Sequence, residues 1–326
     1  MILSLESPVQ VHEFDRIEAG ELLKIVFDCA GSDKKSLKIA VVLDKTPLAE
    51  RDRILKILAG HCTVTRFDRV EPNPGTADIM SMFGDLTLAG ADLVLGIGGG
   101  SVMDSAKALA MLAVNGGSLD GYLGSNPSRT IKEASLPLLL VPTTAGTGSE
   151  VTKVGVYTSR EGRKYTLGSP LMLAKGAILS GSLLGDIPPG LCASTGLDAL
   201  DHSLESIWNK NATPRTREMA EAAAVEVLTW LPPAYANALQ KQSGADEINR
   251  NMLRASCMAG AAFSITGTAA GHALSFVLSE DWHIPHGAAC AFTLPDIYDL
   301  AAAEKETAAS LGRICEKLYA PGKPVP

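Results

Sequence analysis

Four side chains in this sequence have the types and spacing of a divalent-cation site. Asp198 and His202 stand four residues apart in "GLDALDHSLESIW", which has helical character, so both project from one face of a helix. Downstream, "AAGHALSFVLSEDWHIPHGAACAFTLP" supplies His272 among small residues and His286 just ahead of a glycine. One carboxylate oxygen and three imidazole nitrogens suit Fe(II) or Zn(II) and leave a coordination position open for substrate. Taken singly, each has a plainer reading. An i, i+4 Asp/His pair is commonly a helix-surface pair, and a histidine among apolar residues is commonly a core residue with satisfied hydrogen bonds.

Two glycine-rich turns carry a second chemistry. "GIGGGSVMDSAKA" follows a strand and opens a helix, and without side chains at Gly98, Gly99 and Gly100 the backbone N–H groups can approach a pyrophosphate at a helix N-terminus. Ser101 and Asp104 have the spacing of a capping box for that helix. The spacing is not G-x-G-x-x-G, so the usual dinucleotide fingerprint is not indicated, and a tight turn without a ligand is the competing reading. "PTTAGTGSEVT" follows the next apolar strand and adds the Thr143, Thr144 and Thr147 hydroxyls with Gly146 and Gly148. Two such loops at adjacent strand ends point to a phosphate-rich ligand. Asp44 closes the strand "KIAVVLD"; there a carboxylate can accept hydrogen bonds from ribose hydroxyls and repel a 2′-phosphate, favouring NAD(H) over NADP(H). A solvated turn residue is the alternative.

The elements that must position these groups follow from hydrophobic periodicity. "KIAVVLDK", "TVTRFDRV", "ADLVLGIGGG" and "LPLLLVPTT" read as strands, and "PLAERDRILKILAGH" and "SVMDSAKALAMLAV" between them have a helical period. Strand and helix in turn imply a parallel sheet covered on both faces. From about Gly185 the chain is Ala-rich, helix-forming and nearly free of strand signals. The expected organisation is an α/β domain over 1–184 and an all-α domain over 185–326, with ligands in a cleft between them. Neither a linker nor a repeat interrupts the sequence.

Composition narrows the function classes. The chain has 326 residues, 46% of them hydrophobic, enough for sizeable cores. A net charge of −7 with scattered basic residues gives no footprint for nucleic acid. No segment holds 18 consecutive apolar residues, and Glu6, Glu13 and Asp15 stand where a secretory signal would be positive and then apolar, so a cytoplasmic protein without membrane partners is expected. The six cysteines lie far apart without a C-x-x-C pair, and each reads as a buried small hydrophobe.

The ordered motifs "GGGSVMDSAK", "PTTAGTGSEVT", "GLDALDH", "GHALSF" and "IPHG" resemble the iron-containing (group III) alcohol dehydrogenases of the dehydroquinate synthase-like superfamily, from about Asp44 to Pro295. The resemblance implies a Rossmann-like α/β domain followed by the helical metal-binding domain. It also implies metal ligation by Asp198, His202, His272 and His286. Cofactor-binding positions would be Asp44, Asn73, Gly99, Gly100, Ser101, Asp104, Thr143, Thr144, Thr147, Lys164 and Leu183. Lys164, in what otherwise reads as a charged hairpin turn, would reach a cofactor ribose hydroxyl. The implied reaction is hydride transfer between nicotinamide and a small alcohol or aldehyde, with Fe(II), alternatively Zn(II), acting on the substrate oxygen. Homodimers or larger homo-oligomers are frequent in the family.

Several departures stand out. Many members carry a further histidine four residues after the third ligand; Phe276 occupies that position and would shape the pocket instead, while His283 reads as an exposed loop residue. Ser180-Gly181 replaces a usual "DP". The chain ends at "YAPGKPVP", some tens of residues before most relatives end, so a C-terminally shortened helical domain is expected. "HALSF" followed by "IPHG" looks most like branches reducing short acidic aldehydes such as phosphonoacetaldehyde. Glycerol dehydrogenase-like polyol oxidation and a metal-free, cofactor-binding non-enzyme are the alternatives.

Overall fold

The computed structural model describes residues 2–3, 7–32, 34, 36–241 and 244–319; the C-terminal "APGKPVP" lies outside them. Two compact units emerge. One comprises 1–143 with 149–183, the other 144–148 with 184–326.

In the first unit the apolar runs form one seven-stranded sheet. Its strands are β1 (Ile2–Leu3), β2 (Gln10–Phe14), β3 (Lys38–Asp44), β4 (Thr63–Val70), β5 (Leu93–Gly98), β6 (Leu138–Pro142) and, after the hairpin described below, β9 (Gly176–Ser180). Their spatial order is β1-β2-β9-β6-β5-β3-β4, and every pairing is parallel except β1 with β2. Strands β5, β6 and β9 are buried along their whole length, as continuous apolar runs covered on both faces must be. Helices α1 (Ala19–Ala30), α2 (Ala49–Ala59), α3 (Thr76–Ala89) and α4 (Gly100–Asn115) connect the strands.

Helix α4 packs close beneath the glycine turn. A Cβ placed on Gly98 would stand 2.4 Å from Val102 Cγ2, so no side chain fits there without moving the helix. The capping box expected from Ser101 and Asp104 does not form. The N-cap is Gly99, without a side-chain cap bond, which puts Asp104 beyond the first turn. The Asp104 carboxylate turns instead to the Ser149 hydroxyl (2.7 Å) and the Val156 N–H (2.9 Å). It thereby ties α4 to the two-stranded antiparallel hairpin of β7 (Val154–Thr158) and β8 (Lys164–Gly168).

The second unit contains α5 (Pro189–Trp208), α6 (Pro214–Gln240), α7 (Asp246–Thr266), α8 (Ala270–Asp281), α9 (His286–Ala301) and α10 (Lys305–Leu318). Leu204 and Ile207 of α5, Ala220 and Ala224 of α6, Ala262 of α7, and Leu311, Ile314 and Leu318 of α10 form a common core. The alanines permit close helix approach while the leucines fill the space between layers. Among the described residues no single helix is long and apolar enough to cross a membrane. Five cysteines are buried as expected, whereas Cys315 is exposed, because α10 turns that position outward.

Candidate metal centre and cofactor loops

Helix α5 buries its acidic and histidine residues. Asp198 and His202 are 3% and 5% exposed, which excludes a surface pair. His272 lies in the first turns of α8, also buried, and His286 opens α9 with its side chain 43% exposed. All three imidazoles converge on one atom, Asp198 Oδ1: His202 Nδ1 at 3.8 Å, His272 Nε2 at 3.5 Å and His286 Nε2 at 3.7 Å.

Three of these buried atoms, Asp198 Oδ1, His202 Nδ1 and His272 Nε2, have no hydrogen-bond partner. Each such group costs about 1–3 kcal/mol in desolvation. A shared cation removes that cost, and the geometry suits it, since tetrahedral ligands about 2.1 Å from an ion stand about 3.4 Å apart. The residues present therefore fit a divalent metal.

Charge argues the same way. Behind His272 lie two fully buried carboxylates, Asp201 and Glu205. The His272 Nδ1 stands 2.8 Å from Glu205 Oε2 and 2.9 Å from Asp201 Oδ2. Glu205 also accepts the backbone N–H groups of Ala269 (2.6 Å), Gly271 (2.6 Å) and His272 (3.3 Å), neutralising the start of α8. Burial disfavours a charged His272 ring, yet its contacts with Asp198, Asp201 and Glu205 outweigh that and hold its pKa well above the ordinary value. For Asp198, burial acts upward, but His202, His272 and His286 hold the carboxyl far below its usual range. The nest demands positive charge. With Nδ1 donating to Glu205 and Asp201 close beside it, Nε2 is left facing Asp198, as a ligating imidazole requires.

Neither Asp201 nor Glu205 stood out in the sequence. The available signal was their placement three and seven residues after Asp198, on the same helical face. Phe263 of α7 was missed too; its ring stacks on His202 with centroids 4.2 Å apart. Phe276 is 39% exposed, its ring centroid 6.4 Å from that of His286. His283 is exposed, with φ 55°. Cys290 Sγ lies 3.9 Å from His286 Nε2, and burial pushes its thiol up to about 12. Gly287 packs directly on α5: a Cβ there would fall 1.8 Å from the Ser194 carbonyl oxygen.

The phosphate-type turns belong mainly to the α/β unit. Gly99 and Gly100 start α4, and the Thr143 N–H donates to Gly98 O (3.0 Å), joining the two loops at neighbouring strand ends. Asn73, with φ 56°, donates its N–H to the Ser101 hydroxyl oxygen (3.3 Å), and its carbonyl accepts from the Thr158 hydroxyl (3.2 Å). Lys164 begins β8, Leu183 is buried, and Thr144 and Thr147 fall in the segment that clusters with the helical unit. Asp44 ends β3, where it accepts the Thr46 N–H (2.8 Å) and pairs with Arg51 (3.0 Å).

Residues 17–180 match the iron-containing alcohol dehydrogenase family, and residues 192–324 match its C-terminal region. The chain belongs to the iron-containing alcohol dehydrogenases. Among curated relatives, long-chain-alcohol dehydrogenase 1 of Geobacillus thermodenitrificans is 42% identical over 63% of this chain and 50% of its own length. The sulfoacetaldehyde reductase of Bilophila wadsworthia is 39% identical over 63% of this chain and 51% of its own. The chain thus spans about half the length of these relatives. The structure of the Bifidobacterium kashiwanohense sulfoacetaldehyde reductase in complex with NAD+ superposes with a TM-score of 0.80 at 28% identity, covering 97% of this chain and 86% of the other.

Proposed function

We propose that the chain is a metal-dependent, NAD(H)-preferring alcohol dehydrogenase or aldehyde reductase acting on small substrates. The observation that carries this reading is the approach of three imidazole nitrogens to within 4 Å of one buried carboxylate oxygen. Asp198, His202, His272 and His286 would hold the cation, Fe(II) or alternatively Zn(II). Bound there, a divalent cation supplies Lewis acidity to the substrate oxygen.

The chain's own residues do the rest. Glu205 and Asp201 orient His272, Phe263 fixes the His202 ring, and the half-exposed His286 borders the solvent-accessible side. Phe276 lies beside it as an apolar wall, a poor proton carrier, so protons would move through cofactor ribose hydroxyls or water. The cofactor role is assigned to Asp44, Asn73, Gly99, Gly100, Ser101, Thr143, Thr144, Thr147, Lys164 and Leu183. Asp104 would act indirectly, by holding α4 against the hairpin that carries Lys164. We assign 1–184 to cofactor binding and 185–326 to the metal.

For the substrate we favour a short aldehyde bearing an acidic group, such as phosphonoacetaldehyde. The family motifs around His272 and His286 support it, as does the likeness to sulfoacetaldehyde reductases. A homo-oligomeric, cytoplasmic enzyme completes the proposal.

The test is metal analysis of protein purified without chelator, together with nicotinamide absorbance over a panel of neutral and acidic aldehydes. Stoichiometric Fe or Zn with turnover is the expected result. Metal-free protein that gains no turnover on reconstitution would sink the reading, and faster turnover of neutral than of acidic aldehydes would remove the substrate assignment alone.

A further inference from the structure

We propose that Lys107 is a positioning residue of the dinucleotide site: its ammonium fixes the hairpin that carries Lys164, and cofactor affinity depends on that hold. The inference rests on the cofactor reading above and adds a residue outside the cofactor-binding positions.

Lys107 lies two turns into α4, behind the glycine turn, with its side chain wholly buried. Its Nζ donates to Ser149 Oγ (2.8 Å), Thr152 Oγ1 (2.9 Å) and the Val154 carbonyl (2.7 Å). An ammonium carries three hydrogens, and these acceptors use all of them. They lie together in 149–154, so one charge on α4 gathers the whole approach to β7. Asp104 takes the same segment from one turn earlier, through Ser149 and Val156, and its backbone carbonyl accepts the buried Tyr157 hydroxyl (3.0 Å). The fit has little slack: a Cβ on Gly155 would stand 2.2 Å from the Tyr157 hydroxyl oxygen.

The hairpin in turn holds proposed cofactor positions. Lys164 pairs with Thr158 in the β7–β8 register. Thr158 donates its N–H to the Pro74 carbonyl (3.0 Å) and its hydroxyl to the Asn73 carbonyl, and the Asn73 N–H donates to Ser101 Oγ at the start of α4. A closed circuit thus runs from α4 through the hairpin and Asn73 back to α4, with Asn73, Ser101 and Lys164 on it. The side-chain bonds at the Asn73 end are open to water, whereas those from Lys107 to Ser149 and Thr152 are buried. Water competes at the first end and not at the second, so the buried end sets the geometry. A molecule with its hairpin displaced does not bind, and the apparent Kd rises by the inverse of the fraction in place.

The test is NADH fluorescence titration of the metal-loaded protein, with steady-state rates over a series of NADH concentrations. Thr152→Val keeps the side-chain shape and removes one acceptor, and Lys107→Met removes the charge. Thr152→Val is expected to raise the Kd and KM for NADH by roughly tenfold, about what one hydrogen bond to a charged donor is worth. Lys107→Met should raise them further, while Thr152→Ser, which restores the hydroxyl, should return them toward wild type. Saturated kcat and metal content should stay at the wild-type level in both Thr152 variants. Wild-type NADH affinity in Thr152→Val, or in Lys107→Met shown to be folded by circular dichroism, would overturn the proposal. So would an equal loss in Thr152→Ser, or kcat and metal content falling in step with affinity, since either marks a merely structural strut. If Lys107→Met does not fold, the Thr152 pair decides alone. Wild-type protein that binds no NADH would overturn the cofactor reading as well.

Discussion

At the scale of single residues, the centre is a problem of buried charge. Asp198, Asp201 and Glu205 place three carboxylates around one imidazole, and without a cation the charge on His272 is central to offsetting them. His272→Ala is therefore expected to abolish metal retention and turnover while the sheet stays folded, as metal content, initial rate and circular dichroism will show. Glu205 supports the same ring from behind. Glu205→Ala should weaken metal affinity by about 10–100-fold, whereas Glu205→Gln, which keeps one accepting oxygen, should recover part of the loss in a competition titration. Equal affinity in all three proteins would mean that Glu205 serves α8 alone. On the cofactor side, Asp44 neutralises Arg51. Asp44→Gly both removes a carboxylate that repels a 2′-phosphate and frees a guanidinium suited to bind one, so the ratio of kcat/KM for NADPH over NADH should rise. An unchanged ratio would reduce Asp44 to a turn residue.

At the scale of elements, α4 is bound to the β7–β8 hairpin by a buried network. The fully buried Lys107 ammonium donates to Ser149 Oγ (2.8 Å), Thr152 Oγ1 (2.9 Å) and the Val154 carbonyl (2.7 Å), with Asp104 Oδ1 3.9 Å away. Burial pushes the lysine down to about 8, against the pull of Asp104 and Glu150. Between about pH 8 and the unfolded value near 10.5 the unfolded chain binds a proton that the folded one lacks. This group thus makes stability rise with pH across that window, with its burial penalty fully present below it. Lys107→Met should remove that rising component from urea-unfolding free energies. It should also cost about 3–5 kcal/mol near neutrality, because Asp104 is left buried without a counter-charge. Sequence periodicity located β3, β5 and β6 well, because buried parallel strands are continuous apolar runs, and it also placed the edge strand β4 and helices α2 and α4, whereas α1 and α3 were not singled out. The spacing of Ser101 and Asp104 misled, because a glycine took the N-cap and sequence cannot show that the Asp104 partner is a hairpin fifty residues downstream. Likewise the four proposed ligands were legible through motif and spacing. Asp201, Glu205 and Phe263 were not, since their roles depend on which helix faces which.

At the scale of the whole molecule, three helices of the second unit meet through the candidate centre: α5 by Asp198 and His202, α8 by His272 and α9 by His286. A cation would cross-link them, stabilising the folded state by about 2.7 kcal/mol at a free concentration one hundred times its dissociation constant. Chelation should lower the melting temperature and speed amide exchange in 270–301, while β5 and β6, whose protection comes from the sheet, stay slow. Uniform acceleration throughout the chain would show that the ion is not local to these helices. The placement of Gly287 sets how much latitude this arrangement has. With the Ser194 carbonyl where a methyl group would need to be, α9 is held at backbone distance from α5. Even alanine at 287 acts as a wedge, lifting the neighbouring imidazole off its carboxylate, so the spacing of the centre depends on a hydrogen atom that no other amino acid can supply.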